Sequence, residues 1–210
     1  MCLATYKNNG VVSKQNSLEA LNKAEIRKQM RIRRANLSNK ALAYAEHGLA
    51  KHARKCNRLL QAKRILSYAP FAGEISPALL VNKGTKKNVF LPRITNFRLC
   101  QMRFFSATKI GTPNQYGIAE PRAISTPKLA NSFDVILLPL VAFDRSGCRI
   151  GMGRGYYDRA LHALAHQTGT RPYLIGLAHH FQEINSCEAA AWDVPLDAIL
   201  TDQEFILIQH

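Results

Sequence analysis

Val135-Ile136-Leu137-Leu138-Pro139-Leu140-Val141-Ala142-Phe143-Asp144-Arg145-Ser146-Gly147-Cys148-Arg149-Ile150-Gly151-Met152-Gly153-Arg154-Gly155-Tyr156-Tyr157-Asp158-Arg159 is the stretch that decides the fold. Val135 to Val141 is apolar at nearly every position, the pattern of a strand covered on both faces. A helix is expected from about Gly155 to His166, and then a further apolar strand, Tyr173-Leu174-Ile175-Gly176-Leu177. Strand, helix, strand in that order predicts a parallel sheet in an α/β fold. The segment between strand and helix falls at a strand's carboxyl end, where open α/β sheets bind ligands. Gly151, Gly153 and Gly155 let the backbone approach a ligand closely. The helix start behind them offers unpaired N–H groups and a positive dipole end, which suit phosphate. The pattern is neither the dinucleotide fingerprint nor a P-loop, and a glycine-rich loop alone also serves as a plain strand-to-helix turn. Arg149 and Arg154 add cations whose planar geometry matches phosphate. Asp158 adds a carboxylate one helical turn in, usable by a Mg²⁺ ion that bridges phosphates.

Toward the N-terminus, residues 1 to about 16 are polar and aperiodic and read as a loose extension, 1–19 in all. Asn22 and Glu25 form a capping-box-like helix start, with Ile26 and Met30 at helical spacing behind it. A second helix from about Asn39 carries the stripe Leu42, Ala45, Leu49, Ala53, Cys56 and Leu60, which reads as core packing. Beyond Lys63 the texture becomes short apolar runs between Gly- and Pro-marked loops: Ile65 to Ala69, Val89 to Leu91 and Leu99 to Phe105 read as strands. The expected architecture is one α/β domain over residues 20–210, a three-layer α/β/α arrangement with a mostly parallel central sheet and an N-terminal helical arm.

The chain has 210 residues, 47% of them hydrophobic, enough for a substantial core. No stretch approaches the ~20 apolar residues of a membrane span, and the first residues lack the charged-then-apolar order of a secretory signal. The 5 cysteines are scattered without a Cys-x-x-Cys pair, which argues for free thiols in a reducing cytoplasm. A net charge of +15 attracts anions, and nucleic acid, anionic lipid, nucleotides and polyglutamylated cofactors all qualify. The run from Arg27 to Arg34 raises a nucleic-acid partner, but the basic residues are spread along the chain and no binding module accompanies them. Lys23 and Arg27, four apart, share one helix face, which by spacing alone is equally a solvated basic face.

Arg149-x-Gly-x-Gly-x-Gly-Tyr-Tyr-Asp158, after a strand ending in Pro139-x-x-x-Phe143-Asp144, resembles the signature of the 5-formyltetrahydrofolate cyclo-ligase family. Lys23-x-x-x-Arg27, Gly73-Glu74-Ile75-Ser76, Phe90-Leu91-Pro92-Arg93, Tyr116-Gly117-Ile118-Ala119-Glu120-Pro121 and Trp192-Asp193-Val194-Pro195-Leu196-Asp197 follow in the family's order, so the resemblance covers about residues 20 to 204. It implies an ATP-dependent enzyme that converts 5-formyltetrahydrofolate to 5,10-methenyltetrahydrofolate, acting on small molecules, with Mg²⁺ as cofactor and no nucleic-acid or membrane partner. A monomer is the default expectation. The resemblance assigns Lys23, Arg27, Arg149, Gly151, Met152, Gly153, Arg154, Gly155, Tyr156 and Tyr157 to ATP. It assigns Ala69, Glu74 and Met152 to Tyr156 to the folate, with Glu74 accepting from the reduced pterin. Arg149 and Tyr156 are the implied catalytic groups, and Asp158 and Asp197 the implied Mg²⁺ ligands. Tyr157 reads equally as a core aromatic, and Asp197 as a turn residue after Pro195. Arg154 stands where bacterial members often carry glycine, and Ser76-Pro77 replaces a commoner acidic-Thr ending. Other phosphate-handling α/β families, sugar-phosphate isomerases and coenzyme A transferases, share related folds but not this set of motifs.

Overall fold

Asn22 accepts the amides of Ala24 and Glu25 and so starts α1, Lys23–Ala35. Ser38 does the same for Ala41 at the head of α2, Asn39–Ala53. The computed structural model describes residues 22–81, 87–165, 171–188 and 193–209; the extension 1–19, His166 and Trp192 lie outside the described residues. The helical stripe expected to run to Leu60 is interrupted after Ala53, and α3, Asn57–Gln61, is a separate turn. The break shifts the helical phase, so Leu59 is buried and Leu60 is exposed.

The strands are β1 (Arg64–Leu66), β2 (Asn88–Asn96), β3 (Gln101–Ser106), β4 (Ile110–Pro113), β5 (Ala119–Pro121), β6 (Val135–Pro139), β7 (Ala142–Phe143), β8 (Arg149–Ile150), β9 (Tyr173–Ala178), β10 (Ala198–Thr201) and β11 (Phe205–Leu207). Helix α4, Tyr156–Ala165, links β8 to β9. Seven strands form the central sheet in the order β11-β10-β9-β6-β1-β2-β3. The middle five are parallel, with Leu137 beside Ile175 and Ile65 beside Val135, and the edges β3 and β11 are antiparallel. Val135 to Leu138 is buried throughout because both faces are covered. On one face Ala45 and Leu49 of α2 and Leu59 of α3 pack on Ile65, Leu137, Ile175 and Leu200. On the other, Leu161 and Leu164 of α4 pack on Leu66, Ile136, Leu138 and Ile199. Helix, sheet, helix is the three-layer order expected from the sequence.

Helix α1 belongs to neither layer. Its Ile26 and Met30 pack on Val141, Ala142, Ile150, Ile184 and Cys187, beside the carboxyl ends of the strands. The chain leaves β1 toward β2 on one side and later enters β6 on the other, so the strand order reverses at the carboxyl end of β1, the position at which open sheets bind ligands. No described helix is long and apolar enough to cross a membrane.

Candidate active site

The loop after β6 is a small antiparallel hairpin followed by the glycine run. Ala142 pairs with Ile150 and Phe143 with Arg149. Asp144 ties the hairpin's turn: Oδ1 accepts from the amides of Ser146 and Cys148, and Oδ2 accepts from Cys187 N–H at 2.8 Å. That knot puts Arg149 on a fixed strand. Its side chain, 7% exposed, donates to Asp158 Oδ1 at 2.8 Å and to the carbonyl of Val194. Gly151 to Arg154 then runs exposed across the mouth. Gly153 has φ 87°, a left-handed conformation glycine adopts freely. Helix α4 begins immediately behind, so its free N–H groups face the same mouth.

Three side chains of α1 bond to segments far along the chain. Arg27 Nε donates to the carbonyl of Gly151 at 2.8 Å, and its guanidinium lies against Gly153. Lys23, one turn earlier, donates to the carbonyl of Glu188 at 2.6 Å. Arg33 donates to the carbonyl of Phe181 at 3.1 Å, with its guanidinium 4.4 Å from the ring centroid. Arginines and a lysine around a glycine loop and a helix start form an anion cradle.

The opposite wall is the turn after β1. Ala69, half-buried, leads into Phe71, whose N–H donates to Glu74 Oε2 at 3.1 Å, while Glu74 N–H returns to Phe71 O. Gly73 has φ 74°, and its carbonyl accepts from His179 at 3.0 Å; a carbonyl only accepts, so His179 Nε2 carries the proton. Burial pushes the Glu74 carboxyl above the usual carboxylate range, opposed by Arg34 and then by the Phe71 N–H. Arg34 Nη1 stands 3.6 Å from Glu74 Oε1, with the arginine side chain 1% exposed.

Aromatic rings close the third side. The Arg154 guanidinium lies 5.3 Å from the ring centroid of Tyr116, which packs edge-on against Phe97. Loss of water and the neighbouring Tyr116 hydroxyl push the Tyr156 hydroxyl up to about 12, so it is protonated at neutral pH and available as a donor. Burial, and then the nearby Glu74, push Tyr157 up as well. Tyr157 packs against the core, as the alternative reading of it held.

Residues 19–202 match the model of the 5-formyltetrahydrofolate cyclo-ligase family. The chain belongs to that family. It is 36% identical to the 5-formyltetrahydrofolate cyclo-ligase of Haemophilus influenzae, over 84% of this chain and 95% of that protein. It is 32% identical to the one from Escherichia coli K12, over 68% of this chain and 80% of that protein. Among solved structures, the 5,10-methenyltetrahydrofolate synthetase of Aquifex aeolicus superposes with a TM-score of 0.76 at 25% identity, covering 90% of this chain and 94% of that one. The synthetase of Mycoplasma pneumoniae superposes with a TM-score of 0.66 at 26% identity, covering 87% and 99%.

For a cyclo-ligase fold, the expected residues divide clearly. Arg27, Arg149, the Gly151–Gly155 run, Tyr156 and Asp158 lie together through the Arg27–Gly151 and Arg149–Asp158 contacts, Arg34 links Met152 of that run to Glu74 on the turn that follows Ala69, and Lys23 is fastened to the carbonyl of Glu188. Asp197 does not join them. It precedes β10 at the amino end of the strands, where both oxygens accept from Arg171, at 2.6 and 2.9 Å, and Oδ2 also accepts from Leu174 N–H at 2.7 Å. Leu174 to Ala178 is four strand steps, ~13 Å at the usual rise, so Asp197 braces the far end of the sheet. The expectation of a second Mg²⁺ ligand there is corrected by that geometry. Among described residues the groups that could chelate a metal are Asp144 with Cys148 and Cys187, and His180 with Glu183 and Glu204; neither includes Asp158. Arg34 escaped the sequence reading although a signal existed: Ile26, Met30 and Arg34 stand four apart on one helix face, and all three are buried. Tyr116 carries no sequence signal beyond its motif, because its place beside Arg154 depends on the β4–β5 pairing.

Proposed function

We propose that this chain catalyses the ATP-dependent ring closure of 5-formyltetrahydrofolate to 5,10-methenyltetrahydrofolate, releasing ADP and phosphate. The observation that carries the reading is the hydrogen bond from Arg27 to the carbonyl of Gly151, which closes a basic cradle over the glycine loop in the same mouth as Glu74. Lys23, Arg27, Arg149 and the N–H groups of Gly151, Met152, Gly153, Arg154 and Gly155 hold the triphosphate, with Tyr156 and Tyr157 behind them. Glu74 accepts from the pterin's N–H groups, a charge-assisted pairing. Ala69 and the Met152–Tyr156 run line the folate, so that the formyl oxygen meets the γ-phosphorus.

The formyl oxygen attacks the γ-phosphorus, and the bond to the bridging oxygen breaks with its electron pair going to ADP. The phosphorylated formyl carbon is then attacked by N10. Its C–O bond breaks, phosphate leaves with that pair, and N10 gives up its proton. The protein's part is alignment and charge neutralisation rather than covalent chemistry. Arg149 neutralises the transferring group, and Tyr156, held protonated, donates to it. No cysteine is required.

Asp158 fits a Mg²⁺ site: it is half-exposed, at the helix start, with one oxygen on Arg149, and Mg²⁺ commonly takes one carboxylate with phosphate oxygens. Bound there, the ion would offset phosphate charge. We read the partners as small molecules only, with the chain acting as a monomer. The cytoplasm suits Cys56, Cys100, Cys148 and Cys187, which are all free thiols.

The test is absorbance of the purified protein with 5-formyltetrahydrofolate, Mg²⁺ and ATP. Growth of the near-ultraviolet methenyl band, dependent on ATP, is expected. A folded, nucleotide-binding protein that gives no band overturns the assignment.

A further inference from the structure

Arg34 is the most buried charge among the described residues, and the turn it faces is the one that carries Glu74. Its side chain is 1% exposed, and its Nε and Nη1 have no hydrogen-bond partner among the described residues. Nη2 reaches only the sulfur of Met152, at 4.0 Å. A buried guanidinium with unpaired N–H groups costs stability, and an apolar side chain of similar volume on the Ile26–Met30 face would hold the helix at least as well. The charge therefore answers a requirement other than packing. The acid nearest to it is Glu74, 3.6 Å away and 11% exposed.

We propose that Arg34 is the positioning residue for Glu74: its buried guanidinium holds the Glu74 carboxyl ionised and aimed into the mouth, where it receives the N–H edge of the pterin head group. The inference rests on the cyclo-ligase reading for the identity of the substrate, but not for the pairing itself.

The groups around the pair are consistent with that role. Burial raises Glu74, and Arg34 is the larger of the two influences that oppose the rise, the Phe71 N–H being the other. Tyr68 from the end of β1 and Tyr157 from α4 face Glu74 as neutral phenols, both pushed up by burial. Arg31 on α1 and His179 on the 179–182 turn face Arg34; burial holds His179 below its usual value, and so neutral. Among the described residues, Arg34 is thus the one formal cation set against the carboxylate in that pocket. Without it, Glu74 takes up a proton at higher pH. A protonated carboxyl has lost the second strong acceptor that a pair of pterin N–H groups needs.

The experiment compares wild type, Arg34→Gln, Arg34→Lys and Arg34→Met, each first shown to be folded by urea unfolding. In Arg34→Gln the KM for 5-formyltetrahydrofolate should rise about tenfold or more, with the KM for ATP and kcat much less affected. The rise should be largest at low pH and fade as pH increases, because the remaining carboxyl ionises late. Arg34→Lys, which keeps the charge, should restore part of the affinity and move the acid limb back toward wild type. Arg34→Met should fold as well as wild type and bind folate no better than Arg34→Gln. Equal loss for both substrates, independent of pH and not relieved by lysine, is the mark of a merely structural residue and overturns the proposal. A second readout needs no turnover: the ¹³C carboxyl signal that disappears in Glu74→Gln should titrate at higher pH in Arg34→Gln and Arg34→Met than in wild type. An unmoved midpoint also overturns it. Absence of turnover in wild type itself would count against the reaction assignment and leave this titration to decide the role of Arg34.

Discussion

Gly73→Ala tests how closely the end of α1 and the Glu74 turn are fitted. At Gly73 φ is +74°, and an added Cβ would stand 2.6 Å from the carbonyl oxygen of Arg34 and 3.0 Å from its carbonyl carbon and Cβ. A left-handed backbone costs an L-residue ~1–2 kcal/mol. The collision is between main-chain groups of two anchored segments, so α1 and the turn must part by several tenths of an ångström, an overpacking cost of ~1–3 kcal/mol. Together these give ~2–5 kcal/mol, and a chain of this size loses ~2–4 °C of melting temperature per kcal/mol, so the expected fall is roughly 4–20 °C. The control is Gly151→Ala, in the neighbouring loop: nothing lies within 4 Å of an added Cβ and φ is not positive, so its stability should stay within ~0.5 kcal/mol of wild type. Urea and thermal unfolding of both variants, with the folate KM measured beside them, make the comparison. Gly73→Ala should also raise the folate KM, because parting the segments lengthens the Arg34–Glu74 contact. If Gly73→Ala melts with wild type, or if the two alanine variants melt together, the close fit described here is wrong.

Arg27→Gln should raise the KM for ATP about tenfold while leaving that for folate within ~2-fold, measured by initial rates of methenyl formation. Asp158→Asn should increase the Mg²⁺ concentration needed for half-maximal rate, with a loss of stability of at most ~1 kcal/mol from the weakened Arg149 contact. Asp197→Asn should do the reverse, costing ~1–3 kcal/mol in urea unfolding by breaking the Arg171 pair and the Leu174 hydrogen bond, with the Mg²⁺ requirement unmoved. Burial holds the His179 pKa down, so the unfolded chain binds more protons than the fold between the folded value and ~6.5. Stability should therefore fall as pH drops below ~6.5, by at most ~1.4 kcal/mol per unit from this group. His179→Gln, unfolded in urea at several pH values, should lose that part of the slope.

The layers of the fold were legible because Val135–Leu138 and Tyr173–Leu177 are apolar on both faces, and only a doubly covered sheet makes that pattern favourable. The cradle was legible because its glycines, Arg149 and Asp158 are close in sequence. Features that depend on phase or on distant partners were not. Leu59 and Leu60 are indistinguishable until the break after Ala53 decides which one turns inward. Arg34 looks like its exposed neighbours Arg31 and Arg33 unless the four-residue spacing from Ile26 is followed to the end of the helix. The site expectation for Asp197 came from family resemblance, yet its own position argues otherwise: a residue just ahead of a strand lies at the amino end, opposite the ligand-binding ends.

The fastening of α1 also sets the order in which the protein becomes competent. Lys23, Arg27 and Arg33 find their partners 165, 124 and 148 residues further along the chain. Contacts of that separation form late, because the entropy of closing so long a loop is recovered only once the intervening sheet exists. During synthesis the first helix leaves the ribosome early and stays without its docking surface until the segment around Glu188 has followed. The cradle is therefore completed only once the segment around Glu188 has been made, and a chain interrupted before it has five of the seven sheet strands but no closed site.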